Sequence, residues 1–152
     1  MSITRRIGVV ISTVALVLAA GAGTASARPS ADSNFSFCNT TGGKIACFTA
    51  HLHFDNRYHF TLSNIVVTDT LCDNRSALAY VADQNGVWGR GSLGGVEYTY
   101  KNSLGCNHSE SFGTEHFERG AGTQFVYIGL FGANRLGHST VTYSYLHYNP
   151  YF

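Results

Sequence analysis

The amino-acid sequence predicts an all-β protein: a single antiparallel β-sandwich of seven or eight short strands, stapled by disulfides, with no significant helix in the mature domain. Three observations carry this. Beyond residue 27 no stretch keeps a 3.6-residue apolar period, whereas apolar and polar residues alternate repeatedly, the mark of a half-buried strand. The alternating runs recur at regular spacing and are separated by Gly, Asn and Asp, the residues of tight hairpins. The chain is also 13% aromatic and only 12% charged, a balance suited to sheet and unsuited to disorder or to a solvated helical bundle.

Residues 1–27 stand apart as an export signal. Arg5 and Arg6 give a positive start, Ile7 to Ala20 an apolar run, and Ala25-Ser26-Ala27 the small-residue cleavage pattern. The mature chain is therefore expected to begin at Arg28 and to be secreted and extracellular. The apolar run falls short of the roughly 20 residues of a membrane span, so no span is expected after cleavage. Thr4-Arg5-Arg6 also fits a loose twin-arginine signal, which leaves the export route open. Roughly 125 residues remain, enough for one domain with a real core. Residues 28–34, polar and containing Pro29, read as a flexible leader, and residues 35–152 as the sandwich domain.

The best-defined piece is a three-strand meander. Phe35 and Phe37 alternate with Ser36 and Cys38; after a turn at Asn39 to Lys44, Ala46, Phe48, Ala50, Leu52 and Phe54 alternate with Cys47, Thr49, His51 and His53. Placing Cys38 opposite Cys47 sets Phe37 against Phe48, Ser36 against Thr49 and Phe35 against Ala50. Apolar meets apolar throughout, and a slip of one residue would turn the apolar set to the wrong face. A three-residue loop, Asp55 to Arg57, then reverses the chain into Tyr58, Phe60 and Leu62, expected to face the same core. The phase breaks after Leu62, so a β-bulge is expected near Ser63-Asn64. Further strands are expected at 76–83, about 94–101, 110–118, 123–131 and 138–148.

In an oxidising compartment the four cysteines read as disulfides. The hairpin register supports Cys38 with Cys47, which leaves Cys72 to Cys106, although a count of four by itself allows three pairings. The segment Thr68-Asp69-Thr70-Leu71-Cys72-Asp73-Asn74-Arg75-Ser76-Ala77, followed by a strand rich in Ala and Tyr, resembles small secreted actinomycete β-sandwich proteins of unassigned function. The resemblance implies a secreted sandwich with paired cysteines and brings no catalytic residues.

The 10 Lys+Arg and 9 Asp+Glu nearly balance, and loss of Arg5 and Arg6 with the signal makes the mature chain slightly acidic. Nucleic acid is excluded as a partner, because neutralising phosphates requires a basic excess. No cofactor is indicated, and the oligomeric state is not legible. Acid pairs for glycoside hydrolysis can be drawn among Glu97, Glu110, Glu115 and Glu118, but no spacing selects one. Asp69, Asp73 and Asn74 crowd one turn, where ordinary turn chemistry outweighs a calcium site.

Two groups of side chains remain. His51 and His53 share one strand face, and the tight hairpin is expected to set His59 opposite His53, a facial arrangement suited to Zn²⁺ or Cu²⁺. Among the aromatics, Trp88, Tyr148 and Tyr151 are expected to be exposed and to form a ligand surface, while Tyr143 and Tyr145 follow the parity of Val141 and are expected inside. Together these give a secreted, non-enzymatic domain that binds an extracellular protein or glycan. The alternative is a metal-binding or hydrolytic protein centred on the histidines.

Overall fold

The computed structural model describes residues 28–41, 43, 45–84, 96–133 and 139–152. They form nine strands, β1 (Asp32–Asn39), β2 (Ala46–Phe54), β3 (His59–Asp69), β4 (Leu78–Gln84), β5 (Val96–Lys101), β6 (His108–Glu118), β7 (Phe125–Ala133), β8 (Ser139–Tyr143) and β9 (His147–Tyr148). No helix occurs among the described residues. One sheet runs β1-β2-β3-β6; the other runs β5-β4-β7-β8, with β9 pairing to β7. Every ladder is antiparallel. The count exceeds the expected seven or eight because the run expected over 138–148 divides into β8 and β9.

The Cys38–Cys47 register is the expected one, with Phe37 opposite Phe48 and Phe35 opposite Ala50. Both expected disulfides form, and all four cysteines are paired. The expected bulge lies between Leu62 and Ile65, where Asn64 takes a φ of 53°. Asn tolerates this left-handed region better than most residues. The bulge returns Ile65 and Val67 to the face that already carries Phe60 and Leu62, and all four are buried. Strand β1 starts at Asp32 rather than Phe35. Asp32, Ser33 and Asn34, read as leader from their polarity, pair with His53, Leu52 and His51.

The core lies between the sheets. Phe48, Leu52, Phe54, Phe60, Leu62, Ile65 and Val67 from the first sheet meet Ala79, Val81, Tyr100, Val126, Ile128 and Leu130 from the second. Strands β4 and β7 are apolar on both faces. Their outward Tyr80, Ala82, Phe125 and Tyr127 form a second cluster with Phe131, Val141 and Leu146. Gly129 makes room for it, since a Cβ there would stand 2.0 Å from Tyr80 Cζ. Gly129→Ala must displace a ring packed near Phe131 and Tyr143 and is expected to cost about 1–3 kcal/mol in chemical denaturation.

Buried polar side chains join the sheets. Asn39 Nδ2 donates to Leu130 O and Thr140 O, both at 3.3 Å. Asn102 Nδ2 donates to Val67 O and His108 O, both at 2.8 Å. Arg119, just past β6, donates through Nε and Nη2 to Asp83 of β4 at 3.0 and 2.8 Å, and Thr123 Oγ1 donates to the same carboxylate at 2.9 Å. Each bond satisfies a polar group that burial would otherwise penalise.

Candidate functional site

One end of the sandwich gathers the β2–β3 hairpin tip, the end of β6 and the C-terminal turn. Five residues, Asp55 to His59, make the tip between the last pair, Phe54 and Phe60. Asn56 builds it: its Oδ1 accepts from the N–H groups of Tyr58 and His59 at 2.7 and 3.0 Å, ordinary turn chemistry for Asn. Tyr58, expected in the core, is 44% exposed, since it lies in this turn ahead of the strand. Asn149, itself buried, fastens the C-terminal turn: its Nδ2 donates to Asn56 O at 3.0 Å and its Oδ1 accepts from Tyr151 N at 2.9 Å. The Arg57 guanidinium sits 4.8 Å from the Phe152 ring centre and 5.8 Å from that of Tyr58, both within cation–π range. Tyr148, Tyr151 and Phe152 remain about half exposed.

At the same end of the sandwich a cleft of about 440 Å³ is lined by Asp55, His59, Phe60, His116, Phe117 and Glu118. Phe60 and Phe117 stack at 4.6 Å as its apolar wall. The polar groups continue across the outer face of the first sheet, where Asp32, His53, Thr61 and His116 fall in one cross-strand row. Hydrogen bonds fix the ring tautomers. Thr61 Oγ1 donates to Asp55 Oδ2 at 3.0 Å, so the 3.0 Å contact with His116 Nδ1 must be donated by the ring, which leaves His116 Nε2 as an acceptor. With Asn56 Oδ1 already committed to main-chain N–H groups, Asn56 Nδ2 donates to His59 Nδ1 at 3.0 Å. The His59 proton is therefore on Nε2, 3.5 Å from Glu118 Oε1.

The three histidines singled out in the sequence do not meet. Thr61, not His59, stands opposite His53, because the hairpin tip is two residues longer than expected. His51 and His53 turn instead to Asp32. Among the described residues, no three His, Cys, Asp or Glu side chains stand as a ready metal-ligand set. Of the aromatics, Tyr148 and Tyr151 are exposed as expected, and Trp88 lies outside the described residues. Tyr143 and Tyr145 are not inside: β8 ends at Tyr143, parity fails beyond it, and Tyr145 is 92% exposed. Asp32 went unnoticed as a site residue because the polar run Asp32-Ser33-Asn34 gives no strand signal.

The remaining titratable groups have structural surroundings. Asp69 Oδ1 accepts from Leu71 N at 3.1 Å and Asp73 Oδ1 from Arg75 N at 3.0 Å, as turn chemistry predicts. Burial pushes the Asp69 carboxyl above its ordinary range, and it does the same to the Tyr80 and Tyr100 phenols. Burial also pushes His147 down, where its ring meets Phe35 at 4.3 Å. Glu110 is held low by hydrogen bonds from the Ser103 main chain and hydroxyl.

Compared with protein-family models, with curated proteins and with solved structures, the chain finds no match. No helix among the described residues is long and apolar enough to cross a membrane.

Proposed function

We propose that this chain is a secreted, non-enzymatic binding domain that takes an extracellular glycan at the end of the sandwich formed by the hairpin tip and the C-terminal turn. The observation that carries this reading is the pairing of exposed but anchored aromatic rings with a polar cleft. Tyr151 is 52% exposed while its main chain is tied to Asn149, and Phe152 lies under Arg57. Rings held in place lose little entropy when a sugar stacks on them. At the same end, His116 Nε2 offers an acceptor and Glu118 a carboxylate for sugar hydroxyls. Secretion is supported by the signal pattern of residues 1–27 and by the two disulfides. With every cysteine paired, no thiol nucleophile is available.

The test is sedimentation of the mature protein with insoluble cellulose, chitin and peptidoglycan. At least one is expected to deplete it from solution, and Tyr151→Ala is expected to weaken that binding about tenfold or more, as for an anchoring aromatic. Binding to none of them, or binding unchanged in Tyr151→Ala, would reject the glycan reading.

A further inference from the structure

Resting on the glycan reading above, we propose that the ligand of this end of the sandwich is an acidic glycan and that Arg57 selects it by holding a sugar carboxylate. Arg57 stands on the hairpin tip and is exposed, yet its side chain is held on three sides. The Phe152 ring centre lies 4.8 Å from the guanidinium carbon and that of Tyr58 5.8 Å from it. Gly122 closes the third side: a Cβ there would stand 3.2 Å from Arg57 Cγ and Nε, so the stem packs on bare main chain. Gly122 has a φ of 81°, which glycine adopts without strain. The main chain is fixed as well, since Arg57 O accepts from Thr123 N at 2.9 Å.

The guanidinium held in this way has no acid to neutralise it. No Asp or Glu among the described residues pairs with Arg57, whereas Arg119 spends its guanidinium on Asp83. Contact with aromatic rings attracts the charge but leaves the N–H donors without acceptors. Those donors form a planar fork that matches the two oxygens of a carboxylate. Because the side chain is already restrained, little further entropy is lost when the fork closes on an anion. The half-exposed rings of Tyr151 and Phe152 at the same end give a sugar bearing that carboxylate a face to stack on. Asp55 and Glu118, which line the cleft at this end, would repel an anion. Attraction to an acidic sugar therefore depends on Arg57 and is lost with it.

Titration calorimetry of the mature, disulfide-intact protein with oligogalacturonate and with its methyl ester, the same sugar chain with its carboxylates masked, tests this. The charged oligomer is expected to bind about tenfold or more tightly than the ester, with the preference shrinking as salt is added. Arg57→Gln is expected to make the two affinities equal, and Arg57→Lys, which keeps the charge without the fork, to retain part of the preference. Tyr151→Ala is expected to weaken both ligands alike. The preference is a ratio within one protein, so a variant that folds less well lowers both affinities and leaves the ratio in place. Of the three polymers named above, peptidoglycan, which carries carboxylates, is expected to be bound most. The proposal is overturned by failure to bind the charged oligomer, by equal affinities in the wild type, or by a preference that survives in Arg57→Gln. Binding of cellulose or chitin together with any of these results would leave the glycan reading standing without its acidic ligand, whereas binding to no glycan at all would end both.

Discussion

Arg119→Ala is expected to lower the unfolding free energy by about 3 kcal/mol, the low end of the cost of removing one partner of a buried ion pair, because the carboxylate is buried while the guanidinium is about one-third exposed. Asp83 is 5% exposed, and both its oxygens are engaged, by the guanidinium and by Thr123. Without Arg119 its charge would be left in a site that one hydroxyl cannot satisfy. The loss falls on the junction between sheets, since Arg119 follows β6 and Asp83 belongs to β4. Urea denaturation of Arg119→Ala beside Asp83→Asn/Arg119→Ala gives the check. The double variant removes the buried charge as well and is expected to recover part of the loss. A double variant as unstable as the single one would mean that Arg119 acts through packing rather than through Asp83.

Phe48→Ala is expected to cost a similar amount, about 3–5 kcal/mol, as a large-to-small change in a close-packed core. Its ring is fully buried and lies 6.2 Å from the rings of both Phe35 and Phe37. Thr49, one position on, points to the outer face and is exposed; Thr49→Ala should stay within about 0.5 kcal/mol. The contrast between adjacent residues is what guanidinium unfolding of the two variants would measure. Comparable losses would contradict the assignment of inner and outer faces in β2.

How much of this was legible depended on whether a residue's neighbours constrained it locally. The β1–β2 register could be read because a hairpin disulfide and a two-residue period must agree, and only one register satisfies both. The bulge could be read because Ile65 and Val67 would otherwise point to solvent. Parity reasoning failed where its premise did: it assigned Tyr145 to a strand that ends at Tyr143, and it set His59 across from His53 by assuming a three-residue tip. The sheet-joining Asn39 and Asn102 were not legible at all, since each looks like a turn residue and its partner in the other sheet, Leu130 or Val67, lies far along the chain. The candidate site was half visible. Tyr148, Tyr151, His51, His53 and His59 were singled out, whereas Asp32 sits in a polar run that gives no strand signal, and His116 and Glu118 owe their placement to the pairing of β3 with β6, strands distant in sequence.

The bond from Asn39 to Thr140 spans 101 positions and closes the sandwich with almost the last strand of the chain. During synthesis, therefore, the β1–β2 hairpin can form and oxidise early, its cysteines being only 9 residues apart, while its apolar face waits for partners that do not yet exist. Folding of this kind, dominated by distant contacts, is slow and leaves strand edges open to pairing with other molecules. An early Cys38–Cys47 bridge would hold the first hairpin in register through that interval, and its main service would then be to the nascent chain rather than to the finished fold.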